Sequence, residues 1–180
     1  MQRKSFGEMQ CPVARSLERV GEWWSILILR DAFYGMTRFD EFQKSLNIAP
    51  NILTRRLTAL VDAGLLERRQ YLEKPPRFEY VLTARGRDFR PVMQALMAWG
   101  NRNFATEGLS VMLADTRTGR QVDAVMVDAA TGERIDNGHY APAPGPAANE
   151  AVRRRLSFGA QKRLTPDLKP DFPPDHVEAA

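Results

Sequence analysis

Residues 22–33, Glu-Trp-Trp-Ser-Ile-Leu-Ile-Leu-Arg-Asp-Ala-Phe, are apolar almost all round. A helix with that pattern belongs at the centre of a core, and other elements must cover it. The flanking sequence supplies them. Pro12 suits a first helical position, and Val13, Leu17 and Val20 recur at i, i+4 and i+7, which predicts a short helix closed by Gly21. On the other side, Tyr34-Gly35 ends the central helix. Thr37-x-x-Asp40 resembles a capping box that opens a third helix, with Phe39, Phe42 and Leu46 facing inward. The turn Asn47-Ile48-Ala49-Pro50 leads into a fourth helix over about 50–63, and Gly64 is its left-handed end.

Two strand-like runs follow, 66–73 and 77–82. In the second, Phe78, Tyr80 and Leu82 alternate with polar residues. Lys74-Pro75-Pro76 lies between them, and since proline cannot continue a ladder this is a hairpin tip. Thr83 caps a long fifth helix over 83–104, which Pro91 is placed to kink. The predicted class is mainly α with a β-wing (α+β), a winged helix-turn-helix over residues 9–106.

Beyond residue 109 the character changes. Asp115-Thr-Arg-Thr-Gly119 recurs as Asp128-Ala-Ala-Thr-Gly132, which predicts two small β-hairpins in an extension over 109–136. From 137 to 180 the chain is rich in Pro, Ala, Arg and Asp with little periodicity, and it reads as a disordered tail.

The composition narrows the function. The lone Cys11 can form neither an internal disulfide nor a cysteine zinc site, which points to the cytoplasm. No stretch approaches the roughly 18 apolar residues of a membrane span. The histidines, His139 and His176, lie in low-order segments. There is no phosphate loop, zinc signature or nucleophile elbow, so the reading is a non-enzyme without cofactor or metal. Residues 1–105 carry 17 Lys/Arg against 11 Asp/Glu, whereas 106–150 carry 3 against 7. The basic excess sits with the helix-turn-helix and hints at a polyanionic partner.

On the fourth helix Leu53, Leu57, Leu60 and Val61 form the inward stripe. The opposite face holds Asn51, Thr54, Arg55 and Thr58, with Arg56 at its flank. Short polar side chains and guanidiniums of this kind hydrogen-bond base edges and phosphates. The neighbouring hairpin adds Arg68, Arg69, Lys74 and Arg77, a second footprint for the backbone of double-stranded DNA. Two other classes compete. A winged-helix protein-interaction module would present an apolar or acidic recognition face. A ligand-binding receptor would line a pocket with aromatics such as Trp23, Trp24, Phe33 and Trp99.

Several motifs in order, Cys11-Pro-Val-Ala-Arg15, Trp24-Ser-Ile-Leu-Ile-Leu-Arg-Asp31, Arg38-Phe-x-Glu41-Phe, Leu53-Thr-Arg-Arg-Leu57, Gly64-Leu-Leu-Glu-Arg-Arg69 and Pro75-Pro-Arg-Phe-Glu-Tyr-Val-Leu-Thr83, are similar to the HxlR family of bacterial regulators, a MarR-like group. The resemblance spans about residues 9–105. It implies a homodimer that binds a pseudo-palindromic operator and represses or activates nearby genes. It makes the fourth helix the recognition helix and residues 66–82 the wing, and it places the dimer contact on the first and fifth helices. The family usually has Ser where Ala49 stands, so a side-chain N-cap is lost here. Some relatives carry a zinc-ribbon-like extension with Cys-Gly turns. Thr118-Gly119 and Thr131-Gly132 stand in those places, which implies a metal-free version. Some members also sense oxidants through a cysteine at this N-terminal position. That makes Cys11 a candidate redox sensor, against the plain alternative of a packed interface thiol, and it leaves room for a small-molecule effector.

Overall fold

The computed structural model describes residues 5–135 and 139–165. Along the chain run α1 (Pro12–Val20), α2 (Trp23–Phe33), α3 (Phe39–Leu46), α4 (Pro50–Asp62), β1 (Leu66–Leu72), β2 (Arg77–Leu82), α5 (Ala84–Arg87), α6 (Arg90–Phe104) and α7 (Glu150–Leu164). The mixed α+β class and the winged helix-turn-helix order are those the sequence predicts.

The core lies where α2, α3 and α4 meet the start of the wing. Ile28, Leu29, Phe42, Leu53, Leu57 and Leu60 are fully buried, and Val20, Ile48, Leu65 and Leu66 close the cluster. Burying side chains of this size contributes about 1.5–3 kcal/mol each. α2 is central, but it is not covered all round: Trp23 is 70% exposed, and the helix also buries the polar Ser25 and Asp31.

Two local devices set the angle between α4 and the wing. At the end of α4, Gly64 takes φ 69°. The Leu65 N–H donates to the Leu60 carbonyl at 2.9 Å and the Gly64 N–H to Val61 at 2.8 Å. This is a Schellman arrangement, and the buried Leu60 and Leu65 supply its apolar contact. At the end of β2, the Thr83 hydroxyl donates to the Gly64 carbonyl at 2.6 Å and accepts from the Gly86 N–H at 3.0 Å. Arg85 donates to the Ala63 carbonyl at 3.0 Å. A Cβ on the buried Gly86 would collide with the Leu65 carbonyl, so the α4 end and the α5 start are locked together.

The wing is an antiparallel pair in register Leu66↔Leu82 to Gln70↔Phe78, with an irregularity at Gln70–Leu72. It is tethered to α3 by the Tyr80 N–H donating to the Thr37 carbonyl at 2.7 Å and by a bridge between Arg38 and Glu79.

Four expectations change. The N-cap residue of α3 is Arg38, not Thr37, and the cap is closed by Glu41, whose carboxylate accepts the Thr37 and Arg38 N–H groups, each at 2.8 Å. Those bonds, with the Arg38 charge, hold its pKa below the ordinary 4.5 against a small opposing desolvation. The long fifth helix is two helices, because Pro91 has no N–H to give the preceding turn and instead sits in the first turn of α6, which begins at Arg90. In the extension each repeat closes on a single bridge, Ala114↔Gln121 and Val127↔Arg134, short of a paired strand. Its turn glycines, Gly119 and Gly132, do take the left-handed φ values of 69° and 73°. Finally, part of the tail read as disordered is helical. In α7 the Asn149 side chain accepts the Val152 N–H at 3.0 Å, and Glu150 pairs with Arg154 one turn on. Residues 166–180, with His176, lie outside the described residues.

Candidate nucleic-acid interface

α4 carries the candidate site because its two faces differ so sharply. Leu53, Leu57 and Leu60 anchor it in the core, which turns Asn51, Thr54, Arg55 and Thr58 to solvent. The Ala49 N-cap provides no side-chain bond. Asn51 absorbs part of that loss, since its Oδ1 accepts the Ile52 N–H at 2.9 Å; the Thr54 hydroxyl donates back to the Pro50 carbonyl at 2.9 Å. Thr54 therefore presents acceptor lone pairs and its methyl outward. Among the described residues no acceptor meets Arg55, whose guanidinium stands free on the exposed face.

Arg56 departs from the expectation. Its Nη2 pairs with Glu22 Oε2 at 3.0 Å, and its side chain is only 15% exposed. Glu22 is the N-cap residue of α2, so the pair ties the core helix to α4. The reason is angular: Arg56 follows the buried Leu53 by three residues and precedes the buried Leu60 by four, so it borders the inward stripe and points toward the α2 side, away from the exposed face. Among the described residues no acceptor meets Arg56 Nε.

On the wing, the Arg68 guanidinium stacks over the Phe78 ring with 3.3 Å to its centroid. Arg69 bonds Glu67 at 2.8 Å. That bond lowers the Glu67 pKa and raises that of Arg69. Lys74 and Arg77 are exposed at the tip, and among the described residues no carboxylate pairs with either. The site thus holds free cations on the helix face and at the tip, with a partly neutralised stretch between them.

Arg38 belongs to this surface and was not singled out from sequence. It lies over the Tyr71 ring at 4.8 Å, joining the start of α3 to the wing. The only signal was its basic character, because the contact depends on the long-range pairing of Thr37 and Arg38 with β2.

Cys11 is the N-cap residue of α1, in extended conformation and half-buried. Arg15 does not face the thiol: its Nε donates to the Met9 carbonyl at 2.9 Å. The segment before α7 covers this end of α1, with the Asn149 N–H donating to Gln10 Oε1 at 3.0 Å.

Comparison with known proteins places this geometry. An HxlR-like helix-turn-helix family model matches residues 19–108. An uncharacterized HTH-type transcriptional regulator of Mycobacterium tuberculosis is 39% identical over 135 residues, 74% of this chain and 85% of the relative. A solved candidate transcription factor from Pseudomonas aeruginosa is 57% identical, with TM-score 0.60, covering 81% of this chain and 100% of that one. The redox regulator HypR in its reduced form is 31% identical, with TM-score 0.50, covering 54% of this chain and 97% of that one. The chain belongs to the HxlR-like helix-turn-helix family, and it is a transcriptional regulator with a DNA-binding helix-turn-helix domain.

Proposed function

We propose that the protein acts in the cytoplasm as a homodimer that reads a pseudo-palindromic operator through α4 and grips phosphates with the wing tip. The observation that carries this is the pairing of one free guanidinium face with one free cationic tip. Asn51, Thr54, Arg55 and Thr58 face a major groove, while Lys74 and Arg77 reach the flanking backbone. Arg68 and Arg69 add positive potential along the wing, and Arg56 positions α4 from behind. Half-sites would lie about 34–36 Å apart, or a multiple of that.

Dimerisation is supported by apolar side chains left in solvent on two helices: Val13 and Leu17 on α1, and Val92, Leu96 and Trp99 on α6. One protomer leaves this surface uncovered, and a two-fold partner would bury it. Redox control through Cys11 is supported by its place at the start of α1 beside that surface and by the likeness to HypR.

The test is binding of the protein's own upstream DNA and of a shuffled duplex of equal length, measured by fluorescence anisotropy. Specific binding with two protomers per site supports the reading. Equal affinity for both duplexes contradicts it.

A further inference from the structure

The last helix, α7, buries none of its side chains. It carries Arg153, Arg154, Arg155, Lys162 and Arg163 against the single acid Glu150, which leaves four positive charges in excess. A helix this polar on every side is not placed by burial of an apolar stripe. It is joined to the start of α1. The Asn149 N–H donates to Gln10 Oε1 at 3.0 Å, and Val152 and Leu156 line a cleft shared with Pro12 and Val13.

The excess charge is not answered within the described chain. Glu150 pairs with Arg154 at 3.0 Å. Arg153, Arg155 and Arg163 are exposed and have no carboxylate partner among the described residues. Arg153 donates Nε to the Ala148 carbonyl at 3.1 Å, which leaves its charge uncancelled. The acids of the preceding extension are engaged locally, Asp115 by Arg117, Asp128 by Thr131 and Glu133 by Tyr140. The basic surface continues onto α1. Arg155 shares the cleft with Arg15, and among the described residues no Asp or Glu lines it. Arg19 lies one turn beyond Arg15, donates Nη1 to the Arg15 carbonyl at 3.0 Å, and is exposed without a carboxylate partner among the described residues. Residues two apart on a helix point to opposite sides, so Arg15 and Arg19 face away from the apolar pair Val13 and Leu17.

We propose that α7 and the basic side of α1 form a second, sequence-independent contact with the DNA backbone, separate from α4 and the wing tip. Charge and position select the partner. Duplex DNA carries one negative charge per about 1.7 Å of its axis, and exposed guanidiniums bind its phosphates with paired N–H groups. α1, to which α7 is joined, packs on α4 itself. A protein partner would be met by a central apolar or aromatic anchor, whereas the groups offered along this surface are cations. α7 lies outside residues 19–108, the segment matched to the family, so the contact is an addition to the shared domain. It goes beyond the function proposed above and rests on the DNA-binding domain alone, not on operator reading or dimerisation. Its consequence is a tighter hold on every sequence alike, with the choice of site left to base contacts.

The test is anisotropy of the full chain on its own upstream DNA and on a shuffled duplex of equal length, across a salt series. Arg153→Gln, Arg155→Gln and Arg163→Gln are combined in one variant, which keeps the Asn149 cap and the Glu150–Arg154 pair; circular dichroism verifies its helix content. It should lower the salt slope by about two to three units and weaken both duplexes alike, by about tenfold or more. Lysine at the same three positions keeps the charge and should hold affinity within about twofold of the parent. Arg15→Gln alone should lower the slope by about one unit. Hydroxyl-radical footprinting should show backbone positions that the parent protects and the glutamine variant exposes. An unchanged slope in the folded glutamine variant overturns the contact. So does a lysine variant that falls as far as the glutamine one, or a loss confined to the upstream duplex. If the glutamine variant binds both duplexes like the parent but loses retention on phosphatidylserine–phosphatidylcholine vesicles, the surface meets a membrane and the proposal falls. A parent that binds both duplexes equally, with the α7 effect intact, supports this contact and contradicts operator reading by α4.

Discussion

The winged-helix body and the segment after α6 are held by different physics. The body buries a run of large side chains, Ile28, Leu29, Phe42, Leu53, Leu57 and Leu60, and fixes its wing by hydrogen bonds anchored in that core. From residue 106 to 165 no described side chain is buried. The extension depends on turns: the Gly119 N–H donates to the Asp115 carbonyl and the Gly132 N–H to that of Asp128, each at 2.8 Å. Asp115 is further held by Arg117, whose side-chain hydrogen bonds lower its pKa. The first region holds α4 firmly against the core. The second, with no buried side chain to anchor it, is the region expected to open first.

The largest test of this contrast is Leu57→Ala. Removing a fully buried side chain at the centre of the body should cost about 3–5 kcal/mol in chemical denaturation. A cost near that of a surface change would mean the core does not support α4.

The second test separates two neighbours on one helix. Arg56→Ala should destabilise by about 1–3 kcal/mol, because it removes a partly buried ion pair between α4 and α2 together with the packing of the Arg56 stem. Arg55→Ala should stay within about 0.5 kcal/mol of the parent. Equal values for the two would remove the distinction between positioning and reading residues.

Next comes Gly119→Ala. A Cβ there meets nothing within 4 Å, so the effect is backbone strain alone at φ 69°. A loss of about 1–2 kcal/mol is expected. It should appear as faster amide exchange over 115–122, with the body's unfolding midpoint unchanged. A matching fall in that midpoint would mean the two regions fold as one.

The smallest effect concerns Glu41. Its native pKa is lowered, so its stabilisation is present above the ordinary value of 4.5 and lost as pH falls through the lower native value. Glu41→Gln should cost about 0.5 kcal/mol or less at pH 7, given the exposure of the group. It should also flatten the stability profile on the acid side. An unchanged profile would deny Glu41 the capping role.

The body was legible because its periods are strong. Leu53, Leu57 and Leu60, at i, i+4 and i+7, are all fully buried, and Gly64 ends α4 as its position predicts. Errors came where tertiary pairing or propensity outweighs pattern. Thr37 looked like a cap, but its pairing with Tyr80 belongs to the sheet and α3 begins only at Phe39 with Arg38 in the N-cap position, so Glu41 does the capping. Arg56 looked like part of a basic face because proximity to Glu22 is invisible from spacing alone. α7 has little amphipathic pattern to detect. It follows from a good Asn149 cap and a run of strong helix formers. The junction of α7 with the start of α1 was illegible for the same reason as the wing tether: it rests on a contact between distant segments.

The central claim is that the outer face of α4 reads bases while the wing tip holds phosphates. The most direct measurement is the affinity of parent, Arg55→Ala and Arg77→Ala for operator and shuffled duplex across a salt series. Arg55→Ala should lose about 1–3 kcal/mol on the operator and far less on the shuffled duplex. Arg77→Ala should weaken both alike and reduce the salt slope by about one unit. If both variants lose affinity equally on the two duplexes, α4 is not the reading helix.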